Sequence, residues 1–128
     1  MIAFLLLSTL TSMAGDTLQT KSGLRYLVLK EGSGEQAYAN RMVKVNYVGT
    51  FENGDTFDVS PPEGFEFALG RGNVIKGWDE GVRLMKEGDK YLFFIPFSLA
   101  YGKKGIPDVI PPSSNLIFEI ELLEVNNL

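Results

Sequence analysis

The 128-residue chain contains no cysteine and no histidine. Without cysteine there is no disulfide and no thiol chemistry, and the redox compartment cannot be read from pairing. Without either residue the usual zinc sites are excluded. So are Ser-His-Asp and Cys-His arrangements and acid–base catalysis by imidazole. No metal site and no cofactor is expected. A basic block is missing too: acids outnumber bases, 16 to 12, for a net charge of −4. That balance argues against nucleic acid as a partner. The apolar run at residues 1–10 is well short of the roughly 20 residues that a spanning helix needs. Ser12-Met-Ala14 puts small residues where a signal peptidase reads, but no Lys or Arg precedes the run. It is a short signal peptide, a truncated gene start or an apolar tail. Cleavage would mean a secreted or periplasmic protein, retention a cytoplasmic one.

What is present is aromatic and apolar. Nine Phe, five Tyr and one Trp stand in a chain that is 45% hydrophobic, which excludes a disordered polymer. The length suits one domain with a real core. We read residues 1–21 as leader and linker and 22–128 as that domain.

The one substantial helix signal lies at residues 73–85. On a helical wheel Val74, Ile75, Trp78, Val82 and Met85 fall within an arc of about 100°, the width of a core-facing stripe. Lys76, Asp79, Glu80, Arg83 and Lys86 fall opposite. Asn73 is a candidate N-cap and Gly88 a candidate stop. Gly77 and Gly81, four apart, each weaken a helix by about 1 kcal/mol, so they imply close approach of another backbone. Trp78, the only tryptophan, sits near the helix start. For a single such residue, ordinary core is the bland reading.

The remainder reads as strand and turn. Residues 24–30 alternate with apolar groups on both faces. Residues 42–51 alternate Val43, Val45 and Tyr47 against Lys44 and Asn46. An Asn53-Gly54 pair predicts a hairpin into a short strand at 56–58. Strands are also expected at 65–68, 90–95 and 116–125. Leu92 and Phe94 point outward if Tyr91, Phe93 and Ile95 point inward. Residues 97–115 hold three prolines and no clean period, and a loop this long in a compact domain is usually functional. The expected architecture is α+β: a twisted antiparallel sheet of about five strands wrapped around one short helix.

Tyr47, Phe57, Phe65, Phe67, Trp78, Tyr101 and Phe118 lie near strand ends or in loops. They are too many to pack against a helix of three turns, and such a set can line a concave apolar pocket. Asp58 at a strand end is a turn cap or a carboxylate at the pocket rim.

These segments together resemble the FKBP-type peptidyl-prolyl cis-trans isomerases. The matching pieces run in order. They are Val45-Asn-Tyr-Val-Gly-Thr50, Gly54-Asp-Thr-Phe-Asp58, Phe65-Glu-Phe-Ala-Leu-Gly70 and Val74-Ile-Lys-Gly-Trp-Asp-Glu-Gly81, then Met85-Lys-Glu-Gly88, Ala100-Tyr-Gly102, Ile110-Pro-Pro112 and Leu116-Ile-Phe-Glu-Ile-Glu-Leu122. The resemblance implies a sheet around a helix, with Trp78 as pocket floor. It implies Tyr47, Phe57, Phe67, Val109, Ile110 and Phe118 as walls, with Val74 and Ile75 also touching substrate. It implies Asp58 and Tyr101 as rim polar groups and the Ile110 N–H as donor to a ligand carbonyl. Departures stand beside it. The loop after Val59 is short and lacks the arginine that often pairs with the pocket aspartate, and Ile106 stands where the best-known members carry histidine.

The implied activity is rotation of X-Pro bonds in protein substrates, which needs no nucleophile, metal or cofactor. Its partners would be proline-containing polypeptides and, as inhibitors, macrolide immunosuppressants. No long helical arm of the dimerising kind is present, so a monomer is expected. The alternative is a non-catalytic proline-peptide-binding module or holdase that uses the same groove. A β-rich carbohydrate or lipid carrier would rest on aromatic content alone.

Overall fold

The computed structural model describes residues 17–128. The apolar leader therefore lies outside the described residues. Seven antiparallel strands form one sheet: β1 (Leu18–Gln19), β2 (Arg25–Lys30), β3 (Met42–Phe51), β4 (Thr56–Val59), β5 (Phe65–Ala68), β6 (Lys90–Ile95) and β7 (Leu116–Asn126). The order is β1-β2-β6-β7-β3-β4, with β5 also on β3. Among the described residues there is one α-helix, α1 (Lys76–Gly81), which continues as a tighter turn at Val82–Leu84.

Alternation places the core. Val43 and Val45 of β3, Phe93 and Ile95 of β6, and Leu116, Phe118, Ile120 and Leu122 of β7 are all buried on one face. Lys44 pairs across β7 with Glu124 on the other side of the sheet. Strict alternation would send Val125 outward. A register shift between Lys44 and Val45 leaves Leu123 as an extra residue on β7, and Val125 returns to the core.

The helix differs from the sequence expectation. It is six residues long, its N-cap is Ile75, and no side chain caps it, so Asn73 is not the cap. The two glycines explain its position. A Cβ on Gly77 would lie 2.6 Å from Ile95 Cγ2, and one on Gly81 2.6 Å from Phe93 Cε1. The close approach is to β6 side chains, not to another backbone. Val82 and Met85 then seal the core behind them.

Residues 18–22 are part of the fold and not a linker. Leu18 pairs with Tyr26, and Ser22 Oγ donates to both oxygens of Glu80 at 2.6 and 2.8 Å. Thr20 Oγ1 donates to the same carboxylate. Asp89, 1% exposed, accepts from Gly32 N at 2.6 Å and Lys86 N at 2.8 Å. A buried carboxylate is tolerated where fixed donors meet it.

The edges of β3 are unequal. β7 covers one edge throughout, while the other edge is shared. β5 pairs at Met42–Val45 and β4 at Val48–Thr50. Asn46 and Tyr47 fall between the two.

Gly81→Ala should destabilise the fold by about 1–3 kcal/mol through overpacking against Phe93, more than the gain in helix propensity returns. Urea unfolding measures it. A variant as stable as the parent would show that α1 is free to move off the sheet.

Candidate active site

Tyr47, at the gap in the β3 edge, lines a cavity of about 190 Å³. Trp78 forms its floor. The ring is 5% exposed and stands nearly perpendicular to two neighbours: Tyr47 at 4.9 Å and 79°, Phe118 at 5.3 Å and 89°. Such edge-to-face contacts add about 0.5–1.5 kcal/mol each beyond their buried area. The indole N–H is buried and has no hydrogen-bond partner among the described residues.

Each wall has a local cause. Tyr47 lies in the gap between β4 and β5, where its N–H and C=O are taken by Ser60 at 3.0 Å each. Phe118 pairs opposite Gly49, and a Cβ there would meet its ring at 2.6 Å. Phe65 comes from β5, and Val74 and Ile75 come from the approach to α1. Tyr101 reaches the cavity from the loop at residues 97–115. Backbone bonds from Gly102 N to Phe97 O at 2.9 Å and from Ser113 N to Gly102 O at 3.0 Å fix that loop.

The polar groups converge at the mouth. Asp58 pairs with Gly49, which puts Tyr47 on its diagonal, and the Tyr47 hydroxyl donates to Asp58 Oδ2 at 2.9 Å. This bond ties the carboxylate to the cavity wall. Burial, then the hydrogen bond to Asp58 and its charge, push the Tyr47 hydroxyl from 10.0 up to about 12. Burial and the Asp58 charge raise Tyr101 as well. Both phenols are therefore neutral donors across the physiological range.

Of the residues singled out from sequence, Tyr47, Asp58, Val74, Ile75, Trp78, Tyr101 and Phe118 meet at the cavity. Phe57 and Phe67 pack on lining residues, Phe57 against Phe118 at 5.5 Å and Phe67 against Trp78 at 5.6 Å. Val109 is 55% exposed and off the cavity wall. The Ile110 donor expectation is corrected. Its N–H donates to Ile106 O at 2.8 Å, and Ile106 N returns the bond to Ile110 O at 2.8 Å, so this amide is engaged within the loop. The N–H of Ile75, on the cavity wall, has no partner among the described residues. Phe65, one of the aromatic set though not of the walls the resemblance implied, lines the cavity too, and the sequence reading missed one lining residue, Asn73. Nothing in the sequence distinguished Asn73 from a helix cap.

Known proteins share this fold and define its class. A family model described as FKBP-type peptidyl-prolyl cis-trans isomerase matches residues 33–123, and the chain belongs to that family. FK506-binding protein 4 of Dictyostelium discoideum is 47% identical over 102 residues, 80% of this chain and 28% of that protein. FK506-binding protein 2 of the same organism is 41% identical over 132 residues, 98% of this chain and 95% of that protein. The chain thus spans about a quarter of one relative and nearly all of the other. A crystal structure of a peptidyl-prolyl cis-trans isomerase from Pseudomonas syringae is 33% identical with a TM-score of 0.81. It covers 94% of this chain and 90% of that one.

The raised pKa of Tyr47 ties stability to alkaline pH. Its folded pKa exceeds its unfolded one, so its contribution to stability is complete below about pH 10 and is lost as pH rises through about 12. Tyrosinate absorbance should place the Tyr47 midpoint well above that of a free tyrosine, and Asp58→Asn should lower it. An unmoved midpoint in that variant would mean the carboxylate does not act on the phenol.

Proposed function

We propose that this chain catalyses cis–trans rotation of X-Pro peptide bonds in polypeptides and so assists folding. The observation that carries the proposal is the apolar cavity floored by Trp78, with neutral phenol donors at its mouth.

The chemistry suits such a site. Rotation about a peptide bond meets a barrier of about 18–20 kcal/mol because conjugation must be broken. X-Pro bonds populate both isomers but exchange over tens of seconds or more. At the twisted transition state the amide loses conjugation and its carbonyl becomes less polar. Seating the prolyl ring against Trp78 and Phe118 removes water from that amide and favours the twisted form. The Ile75 N–H and the Tyr101 hydroxyl are the donors that orient the substrate carbonyls, already in place before binding. Asp58 supports electrostatically through Tyr47. It is not a general base, because no proton leaves carbon or oxygen.

Macrolide immunosuppressants would fill the same cavity as competitive inhibitors. Support comes from the aromatic lining and from relatives named as FK506-binding proteins.

A protease-coupled prolyl-peptide assay tests the proposal. The purified protein should accelerate exchange, and Trp78→Leu should lower kcat/KM about tenfold in a folded chain. Tyr101→Phe, losing one hydrogen bond of about 1 kcal/mol, should cost about five-fold. Binding of a proline peptide without acceleration would leave a holdase, the non-catalytic reading of the same groove.

A further inference from the structure

We propose that Asp79 is a positioning residue that holds the lip of the cleft in its binding geometry. The inference rests on the reading of that cleft as the prolyl site.

The lip is the chain between β5 and α1, which delivers Asn73, Val74 and Ile75 to the cavity. At its start Leu69 is fixed by two backbone bonds: its N–H donates to Arg41 O at 2.9 Å and its carbonyl accepts from Asn40 N at 2.8 Å. At its end the Ile75 carbonyl accepts from Trp78 N at 2.9 Å and Asp79 N at 3.2 Å. Between these points, among the described residues, the bonds to the backbone of residues 70–74 both come from one side chain. Asp79 Oδ1 accepts from Gly70 N at 2.8 Å and Oδ2 from Gly72 N at 2.9 Å. Both glycines are left-handed, at φ 79° and 73°, and this turns their N–H groups toward one point. Such a concavity of amides suits an anion, and the chain supplies its own.

Asp79 follows Trp78 directly, so floor and lip are held from adjacent positions of one helical turn. The helix fixes how deep the tryptophan lies. The carboxylate then fixes where Val74, Ile75 and the Ile75 N–H lie relative to it. A lip ordered before substrate arrives need not be ordered by the substrate, and the benefit falls on binding. Glu80, the next residue, makes the contrasting contact: it holds the N-terminal segment through Thr20 and Ser22, away from the cleft.

The test separates position from stability. Asp79→Ala, Asp79→Asn and the control Ser22→Ala are assayed with a prolyl peptide at a temperature where each is folded. Asp79→Ala should raise KM five- to tenfold with kcat within twofold. Asp79→Asn, keeping one acceptor oxygen, should fall between. Ser22→Ala should leave both constants unchanged. Amide exchange at Gly70 and Gly72 should quicken at least tenfold in Asp79→Ala while β7 keeps its protection. Parent-like KM and kcat in folded Asp79→Ala would overturn the proposal and leave Asp79 a stabilising contact. An inactive parent would instead overturn the prolyl-site reading, and the exchange data would still decide whether Asp79 holds the lip.

Discussion

The helix reaches the sheet because two of its six residues have no side chain. Phe93 and Ile95 of β6 occupy the space that a Cβ on Gly81 or Gly77 would need. A six-residue helix is far below the roughly 12–15 residues at which an isolated helix becomes marginally stable. Its glycines weaken it further. Packing therefore holds it, and its height above the sheet is set by β6. Trp78 lies between the two glycines, so its depth is fixed by the same contact. Floor, lip and mouth are all measured from that point.

The sheet contributes Tyr47 to the cavity wall. β3 is paired fully on one edge and by two short strands on the other, and Tyr47 stands where neither reaches. Ser60 takes the backbone groups left free there, so the gap does not leave unsatisfied amides. The result is a cavity whose interior is aromatic and whose mouth carries one carboxylate and two neutral phenols. Charge is kept at the rim, where water can reach it, and the interior remains suited to an amide losing its polarity.

Much of this was legible in the residues. The strands at Met42–Phe51, Phe65–Ala68 and Lys90–Ile95 fall where alternation placed them, because a buried sheet face enforces a period of two. Two features were not legible. Leu18–Gln19 looks like polar linker, since a two-residue edge strand has no room for a period. The bulge at Leu123 reverses the facing of Val125, and an extra residue leaves no mark on composition. The helix was overestimated at both ends. Val74 and Ile75 lie on its wheel but belong to the extended lip, and the last turn tightens at Val82–Leu84.

The class of chemistry was set by residue content and order. A chain without Cys or His but with an ordered set of aromatic strand-end residues is fitted to act by shape and desolvation. The motif order identified the family before any geometry was known. Which aromatics line the cavity and which support it depended on how the chain packs. Alternation gives the face of a residue but not its neighbours there: Phe65 lines the wall, and Phe57 and Phe67 pack on Phe118 and Trp78. The available backbone donors, likewise, were fixed by packing alone. Ile110 and Ile75 are equivalent on paper. One N–H is bonded to Ile106 across a tight turn, and the other is left at the cavity wall by the way the lip enters the helix.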